Sequence, residues 1–187
     1  MNGLRATAEP VLEEIAEVLS QVPHDGLTPL VDAILASHRC VLYGQGRTGL
    51  VMQALAMRLY HLGRDAHVVG AMTTPPVGPG DLLIVNAATG DLPTGLALMV
   101  SARRAGAGIA VITGVLESPA ARAADVVLHL PAQTMANDTN PCTRSVMPMG
   151  SQYQLALFIL TELLILELMR EMRVDIGAMR ERHANLL

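Results

Sequence analysis

The N-terminal part of the chain places its apolar residues at helical spacing. Within residues 4–19 they recur on one face, which predicts an amphipathic helix that stops at Val22 and Pro23. A second helix is predicted to follow, with Thr28 as its N-terminal cap and Pro29 in its first position. We therefore expect a helical N-terminal arm ahead of the rest of the domain.

From Cys40 onward short apolar runs alternate with helical stretches, a pattern typical of parallel strands joined by crossover helices. The runs are apolar throughout, as expected of strands that are covered on both faces. Gly63 and Gly106 stand where the intervening helices should end. The predicted strands are residues 40–43, 66–69, 82–85, 109–113 and 126–130.

The C-terminal part is predicted to contain a loop and one long helix. Residues 131–149 have no clear periodicity and contain three prolines. A helix from about Ser151 to Met172 follows, and it is apolar on nearly every face, so we expect burial between elements or between subunits of an oligomer. No internal repeat divides the chain. We therefore expect residues 1–187 to form a single α/β domain with a five-stranded parallel sheet flanked by helices.

Composition narrows the range of functions. A chain of 187 residues with 51% hydrophobic and 16% charged residues is neither disordered nor fibrous. A net charge of −4 and only 2% aromatic residues argue against a nucleic-acid partner, which needs clustered positive charge or stacking platforms. All 13 cationic side chains are arginine, which excludes lysine Schiff-base chemistry, pyridoxal phosphate and the P-loop lysine.

The two cysteines and the apolar stretches suggest a cytoplasmic protein with no membrane partner. Cys40 and Cys142 are far apart in the sequence, so neither a disulfide framework nor a zinc site is expected. Three glutamates between residues 9 and 14 interrupt the region where a signal peptide would be apolar. Residues 155–169 contain two glutamates and are shorter than the ~20 residues of a membrane span.

A glycine-rich turn, G-Q-G-R-T-G, follows the first predicted strand and opens a helix. Such a turn brings backbone N–H groups close to an anion at the helix N-terminus. It also matches a dinucleotide-binding turn, but residues 68–71 lack the carboxylate expected at the end of the second strand. A turn that only packs the helix on the strand is the other alternative. The candidate ligand-binding residues here are Gly44, Gly46, Arg47, Thr48 and Gly49.

A second small-residue turn, N-A-A-T-G-D, follows the third predicted strand. Turns after the first and third strands would lie on either side of the switch point of the sheet, where open α/β sheets bind ligands. The hydroxyls of two threonines could donate to an anionic group, or they could cap the next helix. The candidate ligand-binding residues of this turn are Ala87, Thr89, Gly90 and Thr94.

Several stretches over nearly the whole chain match one known family. They include the turn at residues 44–49, A-M-R-L-Y-H-L-G at 56–63, T-T-P at 73–75, G-D-L-L at 80–83, P-M-G-S at 148–151 and R-H-A-N-L at 182–186. The stretches at 56–63 and 182–186 are rather specific. In these stretches the chain resembles the 6-phospho-3-hexuloisomerases, which have the sugar-isomerase (SIS) fold.

The resemblance implies an SIS-type, flavodoxin-like three-layer domain that binds a phosphorylated sugar, assembles as a homotetramer and needs no metal or organic cofactor. It also implies interconversion of a 3-ketohexose 6-phosphate with fructose 6-phosphate. This reaction moves a proton between adjacent carbons through an enediol and so needs an acid/base group. By resemblance, His61 is a candidate acid/base, Arg47 a candidate sugar or phosphate contact, and His183 a group that completes a neighbouring subunit's site. A purely structural role is the alternative for each.

The chain departs from the family in two motifs. Residues 87–92 read A-A-T-G-D-L where the family usually reads S-G-S-G-E-T, so two hydroxyls are gone and Asp91 replaces a glutamate. Residues 150–154 read G-S-Q-Y-Q where the family reads G-[ST]-x-F-E, with the glutamate thought to be the catalytic base. The amide of Gln154 cannot serve as that base. Loss of a positioned base typically removes about 10²–10⁴-fold in rate.

The remaining candidates for a replacement base are Asp91, His61 and Glu162. Glu162 lies roughly on the same helical face as Gln154 but too far along the axis, so we expect it to pair with an arginine. The leading hypothesis is a phosphosugar isomerase of this family, with an altered substrate or base. The alternatives are a non-catalytic phosphosugar-binding module and a nucleotide-dependent enzyme. The first two require Arg47 and Thr89 to line one cavity.

Overall fold

The computed structural model describes residues 3–139 and 145–185. Cys142 and Leu186, which entered the predictions above, lie outside these described residues. The elements in chain order are α1 (Leu4–Ser20), α2 (Thr28–Ala36), β1 (Arg39–Tyr43), α3 (Gly46–His61), β2 (Asp65–Val68), β3 (Leu82–Asn86), α4 (Pro93–Arg104), β4 (Gly108–Thr113), α5 (Pro119–Ala123), β5 (Val126–His129), α6 (Ser151–Met172) and α7 (Ile176–Glu181).

The strands form one parallel sheet in the order β2-β1-β3-β4-β5. Every predicted strand is present, and each end lies within one residue of its predicted position. The expectation that all strands are covered on both faces holds for the central strands only. β3 is fully buried, whereas β2 and β5 are partly exposed because edge strands have a neighbour on one side only.

Successive residues of a strand point to opposite faces, so the apolar strands supply two cores. Leu42 and Ile84 belong to the core that also contains buried residues of α2, α3 and α6, with α1 packed outside against α6. Val41 and Val85 face the other way and pack with Met99 of α4 and with α5. The result is the expected sandwich of helices, sheet and helices.

The helix ends agree with the predictions in part, and α1 ends at Ser20, two residues before the predicted stop at Val22 and Pro23. Gly63 and Gly106 follow α3 and α4 with φ angles of 89° and 85°, so their predicted roles as C-terminal caps are confirmed. The prediction that Thr28 caps α2 is wrong. Thr28 is already the first helical residue, and no side chain caps this helix. Pro29 consequently occupies the second helical position, where its missing N–H is also harmless.

α6 has the bounds predicted for the long helix, Ser151–Met172. One face is buried against the domain, including Leu157 and Leu164. The opposite face is also apolar but exposed, with Phe158 47% and Leu166 58% accessible. α6 is apolar on nearly every side because one face is buried in the domain and the opposite, exposed face is also apolar. Whether a second subunit covers the exposed face is not tested, so the oligomer stays a prediction. In the described part of the chain, no helix combines the length and apolarity needed to cross a bilayer.

Candidate active site

The turn between β1 and α3 is closed by two glycines that touch each other. A Cβ atom on Gly49 would lie 2.7 Å from the carbonyl oxygen of Gly44, so a side chain there would force the helix away from the strand. Thr48 donates from its hydroxyl to the carbonyl of Gln45 at 2.9 Å, which holds the first turn of α3. The first N–H groups of α3 have no side-chain cap, and the helix begins directly after β1, at the carboxyl edge of the sheet.

The second turn begins where β3 ends at Asn86. Gly90 has a φ of 76°, and a Cβ there would lie 2.3 Å from the Cβ of Ser118, so only glycine fits. The hydroxyl of Thr89 donates to the carbonyl of Asp91 at 3.3 Å. Capping of α4 by the two threonines, the alternative to ligand binding, is not observed, because α4 begins after Leu92 with no side-chain cap.

The two turns converge on one cavity of about 340 Å³ at the carboxyl edge of the sheet. Arg47 and Thr89 both line it, which confirms the expectation on which the phosphosugar hypotheses depended. The start of α6 and the segment before it close the other side. The lining residues include Gln45, Gly46, Arg47 and Thr48 from the first turn, Asn86, Ala88, Thr89 and Leu92 from the second, and Thr134, Met135, Met149, Gly150, Tyr153 and Gln154 opposite.

Arg47 bridges two walls of this cavity. Its guanidinium donates to the hydroxyl of Ser151 at 3.0 Å and to the carbonyl of Met149 at 2.5 Å. Met149 adopts a left-handed backbone with a φ of 55°, which is rare for a long side chain. No carboxylate of the described residues lies within ion-pair distance of Arg47. The positive charge is therefore available to an anionic ligand, and Arg47 does not serve to neutralise a surface acid.

Three uncharged polar residues, Asn86, Tyr153 and Gln154, form what we call the neutral floor of the cavity. The side-chain amide of Asn86 donates to the hydroxyl oxygen of Tyr153 at 2.9 Å. Burial raises the pKa of Tyr153 well above its ordinary value, although the hydrogen bond from Asn86 opposes the rise. Asn86 Oδ1 and Gln154 Oε1 are buried and have no hydrogen-bond partner among residues 3–139 and 145–185.

Sequence reasoning did not identify Asn86 and Tyr153 as site residues. Each carries a weak signal in the sequence. Asn86 is the one polar residue that ends the apolar run of β3, and Tyr153 is one of three tyrosines in a chain poor in aromatic residues. Nothing local indicates that they touch, since 67 residues separate them.

The cavity lacks a general base within the described part of one subunit. No aspartate, glutamate or histidine of residues 3–139 and 145–185 lines it. Asp91 and Thr94 are exposed and lie outside the lining, so their predicted roles stay predictions. Glu162 is held by Arg58, whose Nε and Nη2 donate at 3.2 and 3.1 Å, which confirms the expected arginine pair.

His61 lies at the opposite end of α3 from the glycine turn. It is fifteen residues beyond Gly46, or roughly 22 Å along the helix axis. Its ring stacks on that of His183 with 5.4 Å between the centroids. Burial, followed by the charges of His183 and Arg58, lowers the pKa of His61, so its imidazole is neutral at pH 7. The predicted residues thus form two separate clusters, one around the cavity and one at this histidine pair.

Comparisons with known proteins agree with this architecture. The family model described as SIS domain matches residues 33–159, and the 3-hexulose-6-phosphate isomerase of Bacillus subtilis is 31% identical over 176 residues, covering 94% of this chain and 95% of that protein. This chain belongs to the 3-hexulose-6-phosphate isomerase family of SIS domain proteins. The isomerase of that name from Mycobacterium gastri is 34% identical over 176 residues, covering 94% of this chain and 87% of its own.

A solved structure of the same family has a closely similar fold. It is a protein of Methanococcus jannaschii for which the molecular function of a 3-hexulose-6-phosphate isomerase was inferred from the crystal structure. Its TM-score is 0.83 at 26% identity, and the match covers 97% of this chain and 99% of that one. The SIS domain match includes both turns and the start of α6, so the whole cavity lies within the matched region.

Proposed function

We propose that this protein is a sugar-phosphate isomerase that interconverts a 3-ketohexose 6-phosphate with fructose 6-phosphate or with a close variant of it. The observation that carries the proposal is the convergence of Arg47 and Thr89 on one cavity in a chain of this family. The absence of an acidic residue from the described lining also favours an anionic ligand. We place the enzyme in the cytoplasm, as the cysteine content suggests.

The phosphate group is proposed to bind between the two turns. The first N–H groups of α3 and the positive end of its helix dipole favour an anion there. Arg47 supplies the positive charge. The hydroxyls of Thr48 and Thr89 donate to backbone carbonyls in the structure, and they are proposed to rotate toward the phosphate when it binds. Asp91 then lies at the outer side of the second turn, and Gly44, Gly49 and Gly90 act by allowing the backbone to approach the ligand closely.

The acid/base group is proposed to come from a second copy of the chain. Isomerisation requires a group that removes a proton from the carbon next to the carbonyl and returns one to the adjacent carbon. Gln154 cannot do so, and the cavity of one subunit has no other base in its described lining. The stacked pair of His61 and His183 lies far from its own cavity, and His183 is exposed. In a homotetramer this pair is proposed to complete a neighbour's site.

The exposed apolar face of α6 supports the proposed assembly. Phe158 and Leu166 belong to a larger group of exposed apolar side chains on this helix. A continuous apolar surface of this kind is typical of a subunit interface. His61 is the last residue of α3. His183 lies beyond α7 and outside residues 33–159, which the SIS domain model matches. Assembly and catalysis are therefore proposed to depend on each other.

An isomerase assay on purified full-length protein tests the proposal. We expect conversion of 3-hexulose 6-phosphate to fructose 6-phosphate, and we expect His61→Ala to lower kcat by about 10²–10⁴-fold. His24→Ala is the matched control, because His24 is an exposed histidine in the turn before α2. Wild-type turnover that survives unchanged in His61→Ala would refute the proposed role of this histidine.

The non-catalytic phosphosugar-binding module is the second candidate, and Gln154 is the observation that favours it. It predicts binding of sugar phosphates without turnover, and it predicts that Gln154→Glu creates turnover from a negligible baseline. A robust wild-type rate would remove this candidate. A thermal shift produced by dinucleotides and not by sugar phosphates would instead favour the nucleotide-dependent enzyme, since ligand at ~100 Kd adds about 2.7 kcal/mol of stability.

A further inference from the structure

Glu14 is the one acidic residue of α1 that is not exposed. Its carboxylate accepts hydrogen bonds from the hydroxyl of Ser145, from the backbone N–H of Val146 at 2.8 Å and from the side-chain amide of Gln152 at 3.1 Å. Ser145 and Val146 come shortly before α6, and Gln152 belongs to its first turn. A single side chain of the N-terminal helix therefore binds the segment that leads into α6.

The carboxylate of Glu14 is ionised at neutral pH without a cation beside it. Burial raises the pKa of Glu14, but the hydrogen bonds from its three donors outweigh burial, so the pKa lies below its ordinary value. No cationic side chain of residues 3–139 and 145–185 lies within ion-pair distance of it. An ionised carboxylate only accepts hydrogen bonds, so all three donors are directed toward it.

The residues that Glu14 binds continue into one wall of the cavity. We call residues 145–149 the wall segment. Its last residue, Met149, lines the cavity, and the carbonyl of Met149 accepts from the guanidinium of Arg47 at 2.5 Å. Between these points the side chain of Met147 is buried, and its N–H donates to the hydroxyl of Ser145 at 3.0 Å. The wall segment is thus held by Glu14 at its start and by Arg47 at its end.

The backbone at the end of the wall segment is in an unfavourable conformation. Met149 has a φ of 55°, and Gly150 follows with a φ of 68°. A long side chain rarely adopts the left-handed region, and such a residue persists only where the surrounding contacts enforce it. The wall segment lies outside every helix and strand, between β5 and α6. The contacts at its two ends therefore have to enforce this conformation.

We propose that Glu14 is a positioning residue for Arg47, because it fixes the wall segment so that the carbonyl of Met149 holds the guanidinium at the cavity. The inference rests on the proposed function, which gives Arg47 the contact to the phosphate. Arg47 uses N–H groups on Met149 and on Ser151, and a guanidinium has five, so donors remain for an anion. A guanidinium that is already oriented loses less freedom on binding, which favours affinity.

Amide hydrogen exchange tests whether Glu14 fixes the wall segment. The measurement uses NMR on the purified full chain without ligand. Glu14→Ala removes all the acceptor contacts and keeps a good helix former, so the N–H groups of Val146 and Met147 should exchange roughly tenfold faster or more. Glu14→Gln should give a smaller increase, because an amide oxygen still accepts from Val146. Glu17→Ala is the matched control, because Glu17 lies about one turn further along α1 and is exposed.

Calorimetry with fructose 6-phosphate tests whether Glu14 acts through Arg47. Glu14→Ala should raise the Kd roughly threefold to thirtyfold, and Glu14→Gln should restore part of the affinity. The same Glu14→Ala substitution in an Arg47→Ala background should change the Kd little, because the group that Glu14 positions is gone. General damage to the fold would instead weaken binding equally in both backgrounds.

The outcomes separate this inference from the function beneath it. Unchanged exchange of Val146 and Met147 in Glu14→Ala overturns the role of Glu14 in the wall segment. Fully additive losses of affinity in the double variant overturn its action through Arg47. If the wild type does not bind fructose 6-phosphate, the proposed function fails and the role toward the phosphate fails with it, while the exchange measurement still decides whether Glu14 fixes the wall segment.

Discussion

The imidazole ring of His61 stacks on that of His183, with 28° between the ring planes. The unfolded chain protonates this site near the ordinary histidine pKa of 6.5. In the folded chain burial, followed by the nearby His183 and Arg58, lowers the pKa of His61, so the proton binds only at lower pH. The contribution of neutral His61 to the free energy of unfolding is therefore fully present above pH 6.5, and it is lost as the pH falls below 6.5.

We expect urea unfolding to show this loss in the wild type and a smaller loss in His61→Asn. Comparing the two proteins cancels the histidines that do not interact with His61, so the difference reports on His61 together with its stacked partner His183. His24→Asn, at an exposed position, should keep the wild-type dependence. Identical pH profiles for the wild type and His61→Asn would contradict the assigned environment of this ring.

Removal of the Arg47 side chain should weaken phosphate-dependent binding. The guanidinium is the charged donor of the described lining, and charge-assisted hydrogen bonds contribute about 1.5–3 kcal/mol each. Arg47→Ala should therefore raise the Kd for fructose 6-phosphate roughly tenfold or more, as measured by calorimetry. Arg103→Ala is the control, because Arg103 pairs with Asp125 away from the cavity. An equal loss in both variants would point to a general charge effect.

Gly90 and Gly46 allow a matched test of backbone strain against steric clash. Both have positive φ angles, but a Cβ on Gly46 meets nothing within 4 Å, whereas one on Gly90 collides with Ser118. Gly46→Ala should cost about 1–2 kcal/mol of unfolding free energy from the left-handed conformation. Gly90→Ala should cost about 2–4 kcal/mol, since the clash adds to that strain. Urea denaturation measures both, and equal losses would contradict the described contact.

The exposed face of α6 should hold the subunits together. Phe158→Glu and Leu166→Glu place charges on this apolar surface and should shift the protein to smaller assemblies in light scattering. If the histidine pair acts in a neighbour's site, isomerase activity should fall in parallel with assembly. Leu116→Glu is the control, because Leu116 is equally exposed but lies in the loop after β4. A monomeric wild type would contradict the proposed assembly.

The sheet, the long α6 and the helix-ending glycines could be predicted because they follow from local rules. Strands that are covered on both faces appear as short apolar runs, the long helix appears as an apolar stretch too long for a strand, and both features are visible in the sequence. The two glycine turns could be located for the same reason. Their convergence was predictable because parallel strands end at one edge of a sheet.

Which polar side chains meet in the cavity could not be predicted from the sequence, because these side chains are far apart along the chain. Arg47 meets Ser151 across 104 residues and Asn86 meets Tyr153 across 67, and no local pattern encodes such pairs. Glu14 shows the same limit. Its sequence context suggested only an interrupted apolar stretch, yet its carboxylate accepts hydrogen bonds from Ser145, Val146 and Gln152 beside the site. The distance of His61 from its own cavity likewise follows from the direction of α3, because a helix separates its two ends by its length.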